Sequence, residues 1–409
     1  MSAAQQPAER MAPQPWMGDT ATRAVLRALA REGGAARFVG GCVRDALLGR
    51  AVKDIDIATP LVPEEVMRRL EAARIKAVPT GLMHGTVTAV VPPRHFEITT
   101  LRRDVETFGR HARVAFTDDW AADARRRDFT MNALFLDAEG NVFDPVGGLG
   151  DLRAGRVRFV GDASTRIRED VLRLLRFYRF HAHYGRGAAD ADARAACRAL
   201  APLLPTLSGE RVAAEMLKLL AAPDPLPTLR MMAEDGVLAA LLPEARRLDR
   251  LAALVPLEPA PDALRRFGAL LDSDVGAAVV AERLRLSNEQ RERLAAMAAP
   301  SLAVDLAGDE RVQRRALHRL GADLYRDLVL LRAGQQGDAV QARRLLALAA
   351  GWRPREFPLK GRDVTALGVA EGPEVGRLLA AVEAWWEEGD FRADRKAALA
   401  ELKRRMAKR

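Results

Sequence analysis

The stretch Phe38-Val39-Gly40-Gly41-Cys42-Val43-Arg44-Asp45-Ala46-Leu47-Leu48-Gly49, followed by Lys53-Asp54-Ile55-Asp56-Ile57, decides the fold of the N-terminal part. Its first half has the pattern of a strand, a glycine turn and a helix. Adjacent glycines let a backbone approach a ligand closely, and the free N–H groups of a helix start, together with Arg44, suit phosphate oxygens. A ligand-free tight turn uses the same glycine pair. In the second half, strand alternation places Asp54 and Asp56 on one face and Ile55 and Ile57 on the other. Two neighbouring carboxylates repel unless a cation lies between them, and hard oxygen donors suit Mg²⁺, which keeps substrate phosphates in its shell instead of requiring a full protein cage. A solvated strand face can also carry Asp-x-Asp; the glycine turn one helix earlier tips the balance towards a metal. Glu97, in the run Phe96-Glu97-Ile98-Thr99, is a candidate third carboxylate.

Outward from this stretch, the sequence from about Ala21 to Leu149 alternates strand-like runs with turns: Arg37-Phe38-Val39, Thr86-Val87-Thr88-Ala89-Val90-Val91 and Ala133-Leu134-Phe135-Leu136 join those above. After Gly161 the apolar residues recur at helical spacing nearly to the end. The predicted fold is α+β, with a small mixed β-sheet in the N-terminal part and an all-α remainder. Residues 1–20, rich in Ala, Gln and Pro and lacking an apolar run, read as a disordered leader and not a signal peptide. Pro- and Gly-bearing breaks at 222–225, 256–261 and 351–358 divide the helical portion.

The chain has 409 residues, 64 Lys+Arg against 55 Asp+Glu, six His and two Cys. Cys42 and Cys197 are too few for a disulfide framework and have no metal-ligand spacing, so a reducing, cytoplasmic setting is expected. No uncharged apolar run reaches the roughly 18 residues of a membrane helix, and no membrane partner is expected. A net charge of +9 suggests a polyanionic partner, because a basic surface concentrates phosphate ligands. Scattered positive charge would give the same total.

Further motifs follow in order: Arg126-Arg127-Asp128-Phe129-Thr130-Met131-Asn132-Ala133, Asp144-Pro145-Val146-Gly147-Gly148, Glu169-Asp170-Val171-Leu172-Arg173-Leu174-Leu175-Arg176-Phe177-Tyr178-Arg179-Phe180, and Ser208-Gly209-Glu210-Arg211. With the opening stretch they resemble the bacterial class II tRNA CCA-adding nucleotidyltransferases and their poly(A) polymerase relatives, of the DNA polymerase β superfamily. Met131 is a mild departure from the family's Ile. The resemblance implies a nucleotidyltransferase head (21–148), a nucleotide-selecting neck (149–221), a helical body (222–345) and a tRNA-binding tail (346–409). It also implies that Asp54 and Asp56 bind two Mg²⁺ ions, and that Gly40, Gly41, Arg44 and Arg127 contact the nucleoside triphosphate with Arg176 and Arg179 nearby. The implied substrates are CTP, ATP and tRNA, with no DNA template. The residues from Arg102 to Asp118, with Gly109 inside, are similar to a mobile loop linked in this family to switching from C to A.

Asp170, Arg173, Arg176 and Arg179 recur every three residues, so on one helix each would lie about 60° round from the last, while Val171, Leu174, Leu175 and Tyr178 form a packing face. In the family context Asp170 accepts from a base's exocyclic amine and Arg173 donates to ring or carbonyl acceptors. Both C and A carry that amine; U and G lack it at the equivalent position. Within the resemblance the alternative is a poly(A) polymerase or A-only enzyme, and in another class a catalytically inactive RNA-binding protein. The pairing of Thr80-Gly81-Leu82-Met83-His84-Gly85-Thr86-Val87 with Phe96-Glu97-Ile98-Thr99-Thr100-Leu101-Arg102 resembles CCA-adding members more closely. Lys360-Gly361-Arg362-Asp363 and Gly372-Pro373-Glu374-Val375-Gly376 resemble tail motifs, and Trp385-Trp386 are expected to be core residues.

Overall fold

The computed structural model describes residues 6–108, 111–271 and 274–407. The chain forms two compact units, Met1–Pro243 and Glu244–Arg409. In the first, ten strands are described: β1 (Glu9–Arg10), β2 (Arg37–Val39), β3 (Ile55–Thr59), β4 (Lys76–Gly81), β5 (Thr86–Val91), β6 (Arg94–Thr100), β7 (Arg102–Phe108), β8 (His111–Phe116), β9 (Phe135–Leu136) and β10 (Asn141–Phe143). Eight of them form one mixed sheet in the order β1-β10-β9-β2-β3-β6-β5-β4, while β7 and β8 pair separately. The pair β3–β6 is parallel, with Asp56 opposite Glu97; β5 runs antiparallel to β6, with Thr88 opposite Glu97. The α+β expectation holds.

Alternation explains why these strands lie as they do. Ile55, Ile57, Val87, Ala89, Phe96 and Ile98 are all buried, and the Pro63–Ala72 helix packs on β4, β5 and β6. The residues between them, Asp56, Thr86, Thr88, Glu97 and Thr99, face the other way and stay half-buried or exposed. Every buried CH₂ contributes about 0.8 kcal/mol, so a one-residue slip in register, which would turn the isoleucines out and the carboxylates in, is strongly disfavoured.

Several expectations need correction. Residues 6–20 are not a disordered leader: Glu9 and Arg10 pair with Val142 and Asn141, and Trp16 and Met17 are buried, with Trp16 edge-on to Phe38 at 4.7 Å. Two isolated apolar residues in a Pro- and Gln-rich stretch leave no periodic signal, yet they suffice to anchor it. Strand β4 was hidden by Pro79 and Gly81, which its edge position tolerates. The segment from Arg102 to Asp118, likened above to a mobile loop, contains the antiparallel strand pair β7–β8; Gly109 lies outside the described residues.

The domain limits also shift. No division falls at 221/222, because the Leu226–Glu234 helix packs against the Leu172–Tyr184 helix within the first unit. The limit at 345/346 falls inside the Ala339–Gly351 helix. The second unit is helical, with one core around Leu317, Tyr325, Val329 and Leu345 and another around Val364, Val382 and Leu402. Trp386 is buried there among Phe357, His318 and Phe391, and Trp385 packs against the second core. Among the described residues no helix is long and apolar enough to cross a membrane.

Candidate active site

The glycine turn ends β2 and opens the short Gly41–Leu47 helix. Gly40 has φ +74°, a conformation in which a side chain is strained, and a Cβ there would lie 3.7 Å from Arg127 Nη1 and 3.9 Å from Asp56 Oδ2. A side chain at Gly40 would therefore crowd both a guanidinium and a carboxylate. Around it lies a cleft of about 450 Å³, lined by Gly40, Gly41, Arg44 and Asp56 on the sheet side. Arg126, Arg127, Asp128, Asn132, Asp170, Arg173, Arg176 and Arg211 complete the polar wall.

Asp54 sits one residue before β3 and is exposed, whereas Asp56 is half-buried in the strand. Burial, with the charges of Glu97 and Asp54, pushes the Asp56 carboxyl up to about 6 against the opposing pull of Arg127. Negative charge is crowded here, and Arg127 offsets only part of it. Among the described residues no group of three His, Cys, Asp or Glu side chains is drawn together as a ready-made metal cage. Two aspartates with a glutamate on the neighbouring strand nevertheless provide hard oxygen donors, which fit a cation that completes its shell with water and phosphate.

The opposite wall is held by paired charges. Asp123, buried, accepts from Arg127 Nη2 at 2.8 Å and Arg126 Nε at 2.8 Å; burial alone would raise its carboxyl, but the two arginines hold it below the usual range. Asp128 accepts from Arg176 Nε at 2.7 Å, Asn132 Nδ2 at 3.0 Å and its neighbour's backbone N–H at 2.8 Å. Its burial is outweighed by Arg176 and these donors, which bring it down to about 2. Arg44 donates to Asn132 Oδ1 at 2.7 Å and to both Asp45 oxygens at 3.0 Å, and lies 4.2 Å from the Tyr184 ring centre. Gly148 packs so closely on this motif that a Cβ would fall 2.0 Å from the Thr130 carbonyl oxygen, which explains the glycine at the end of Asp144–Gly148.

Asp170 does not lie on the helix that carries Arg173, Arg176 and Arg179. The Ala163–Glu169 helix ends before it, Asp170 is extended at φ −151°, and the next helix spans Leu172–Tyr184. Asp170 Oδ1 accepts from Leu172 N at 3.1 Å, the local competition with helical bonding that favours Asp at helix breaks. Its Oδ2 accepts from Arg211 Nη2 at 2.7 Å; Arg173 pairs with Glu169 and donates to the Arg166 carbonyl at 3.1 Å. Leu174, Leu175 and Tyr178 are buried as expected.

Gly40, Gly41, Arg44, Asp56, Arg127, Asp170, Arg173 and Arg176 thus converge on one cleft. Arg179 does not line it: its Nε lies 2.6 Å from Glu215 Oε2 and its guanidinium 4.4 Å from the Phe180 ring centre. Glu97, beside Asp56 on β6, and Asp54, exposed just before β3, both lie outside the cleft wall. Arg126, Asp128, Asn132 and Arg211 were missed as site residues. All four fall within the motifs quoted above, but spacing alone does not say which motif side chains turn inward.

Comparison with known proteins identifies the family. The Poly A polymerase head domain family matches residues 36–158, and the family described as the probable RNA and SrmB-binding site of polymerase A matches 190–248. The chain is 32% identical over 379 residues to the mitochondrial CCA tRNA nucleotidyltransferase 1 of Danio rerio, covering 90% of this chain and 86% of that one. It is 32% identical over 369 residues to a CCA-adding enzyme of Lactobacillus delbrueckii, covering 87% and 90%. The structure of the Bacillus stearothermophilus CCA-adding enzyme in complex with CTP superposes with a TM-score of 0.80 at 31% identity, over 97% of this chain and 99% of that one. Likeness that runs through both units, and not through the head alone, makes this chain a member of the CCA-adding nucleotidyltransferase and poly(A) polymerase family.

Proposed function

We infer that this protein adds or repairs the 3′-terminal CCA of tRNA from CTP and ATP, with release of pyrophosphate. The observation that carries this is a single cleft whose wall brings together a crowded carboxylate, an Asp–Arg pair able to read a base, and several further arginines. Such a site needs no covalent intermediate and no template strand. Asp54 and Asp56 would hold two Mg²⁺ ions, with Glu97 as third carboxylate. The chemistry Mg²⁺ would supply there is a lowered pKa of the RNA 3′-hydroxyl and stabilisation of the departing pyrophosphate.

The chain's own residues position the nucleotide. Gly40 and Gly41 leave room for it against β2, while Arg44 and Arg127 face its phosphates from rigid ion pairs, so little side-chain entropy is lost on binding. Asp128 fixes Arg176 in the same wall. Asp170 accepts from the exocyclic amine of C or A and Arg173 donates to the adjoining acceptor. Arg211 and Glu169 hold these two before a nucleotide arrives. The basic C-terminal segment from about Leu345 is assigned to the tRNA body.

The test is extension of tRNA lacking its 3′ terminus, with CTP, ATP, UTP and GTP supplied singly and together, with and without a chelator. Ordered C, C and A addition that stops at three nucleotides, depends on Mg²⁺ and releases pyrophosphate is the expected result. Sequencing the product separates this from an A-only tail, and RNA binding without incorporation would reject the enzyme.

A further inference from the structure

The strand order β9-β2-β3-β6-β5 gives Asp56 two unlike flanks. On the β2 side lie Gly40, Arg44 and Arg127, which suit a highly charged triphosphate. On the β6–β5 side the same sheet face continues through Glu97 and Thr99 to Thr86 and Thr88, with hydroxyls and no guanidinium among these residues. Thr88 is directly opposite Glu97, which is directly opposite Asp56. Two strand spacings put Thr88 roughly 10 Å from the catalytic aspartate, about the reach of one nucleotide sugar and its phosphate. The Thr88 hydroxyl lies 2.9 Å from that of Thr80 on β4, and Thr86 lies 3.3 Å from Thr99, so this row is oriented by its neighbours.

In-line displacement at phosphorus requires the attacking oxygen and the leaving pyrophosphate to be on opposite sides of the reacting atom. If the arginines hold the triphosphate on the β2 side, the nucleophile arrives over β6 and β5. We propose that the half-exposed face at Thr86 and Thr88 is the subsite for the terminal ribose of the acceptor RNA, with the Thr88 hydroxyl recognising its 2′-hydroxyl. This rests on the nucleotidyltransferase function above and adds where the second substrate sits. The 3′-oxygen of that ribose attacks the α-phosphorus, its proton passes to solvent, and the bond to pyrophosphate breaks.

The experiment uses the full chain and tRNA ending in C, with the last sugar either ribose or 2′-deoxyribose. Wild type should favour the ribose-ended acceptor about tenfold in kcat/KM, the worth of one well-placed hydrogen bond. Thr88→Val, which keeps shape and strand preference, should raise the KM for ribose-ended tRNA, leave the KM for ATP unchanged and reduce the preference to near unity. Thr88→Ser should restore it. A wild type indifferent to the 2′-hydroxyl, or a Thr88→Val protein with wild-type thermal stability that retains the preference, overturns the subsite while leaving the function standing. Wild type that extends neither acceptor overturns the function itself and this subsite with it.

Discussion

Two buried or half-buried carboxylates face the same cleft under opposite electrostatics. Asp128 is saturated by Arg176, Asn132 and a backbone N–H and is held down to about 2. Asp56 is pushed up to about 6 first by its burial and then by Glu97 and Asp54, with Arg127 alone opposing them among the charges that act on it most. A satisfied carboxylate is stabilised by its partners, whereas a crowded one is held by the fold at a cost, which is the electrostatic setting that a bound cation would relieve.

The sharpest break of this contrast is removal of each carboxylate. Asp54→Ala or Asp56→Ala should lower kcat by about 10³-fold or more while tRNA affinity, measured by filter binding, stays within a few-fold, because these groups act on the transferring phosphate and not on the RNA body. Asp128→Ala should instead unfold the first unit more readily. It removes the carboxylate that Arg176 bonds most closely and leaves this half-buried guanidinium with only Glu215, at 3.9 Å, so a loss of about 1–3 kcal/mol is expected, to be read from urea midpoints. If both substitutions lost stability equally and activity in proportion, the two carboxylates would not differ in role.

A smaller effect concerns base choice. Asp170→Ala should let U or G compete, whereas Arg173→Ala should weaken C and A together; each contact is worth roughly 1–3 kcal/mol of discrimination. The measurement is the CTP over UTP ratio of kcat/KM on tRNA awaiting C, with thermal unfolding alongside. Stable proteins that keep the wild-type ratio would move base selection elsewhere in the cleft.

The pH dependence of stability sharpens the same comparison in metal-free protein. Asp128, depressed from its ordinary value, contributes stability that is present above about pH 4 and lost as pH falls towards 2. Asp56, raised, imposes a penalty above about pH 6 that is relieved as pH falls from 6 towards 4. Asp56→Asn should therefore stabilise the metal-free protein at pH 8, by at most about 3 kcal/mol, and bring no gain at pH 4. No difference between the two pH values would mean that Asp56 is not crowded. The mildest test lies in the second unit: replacing the exposed Lys396 and Lys403 of the C-terminal segment with Gln should weaken tRNA binding and flatten its salt dependence, since fewer counterions are released. An unchanged slope would leave that segment without RNA contacts.

Much of this was readable along the chain, and for identifiable reasons. Period-two alternation at Ile55, Ile57, Val87 and Ala89 shows the buried sheet face, and with it the side on which Asp56 lies. Gly40 reports a backbone conformation other residues avoid. The anchor at Trp16 and Met17, and the break that takes Asp170 off its helix, escaped because each depends on one or two residues and not on a period.

By itself, then, the sequence determined the local patterns: which face of each strand is buried, where the glycine turn falls, and the supply of carboxylates and arginines in ordered motifs. The pairing of β3 with β6, which sets Asp56 against Glu97, and the turning of Arg179 away to Glu215 while Arg211 reaches Asp170, were decided only by the tertiary structure. Periodicity records how one segment meets solvent and core, whereas a charge's partner and pKa depend on groups brought together from distant segments by packing.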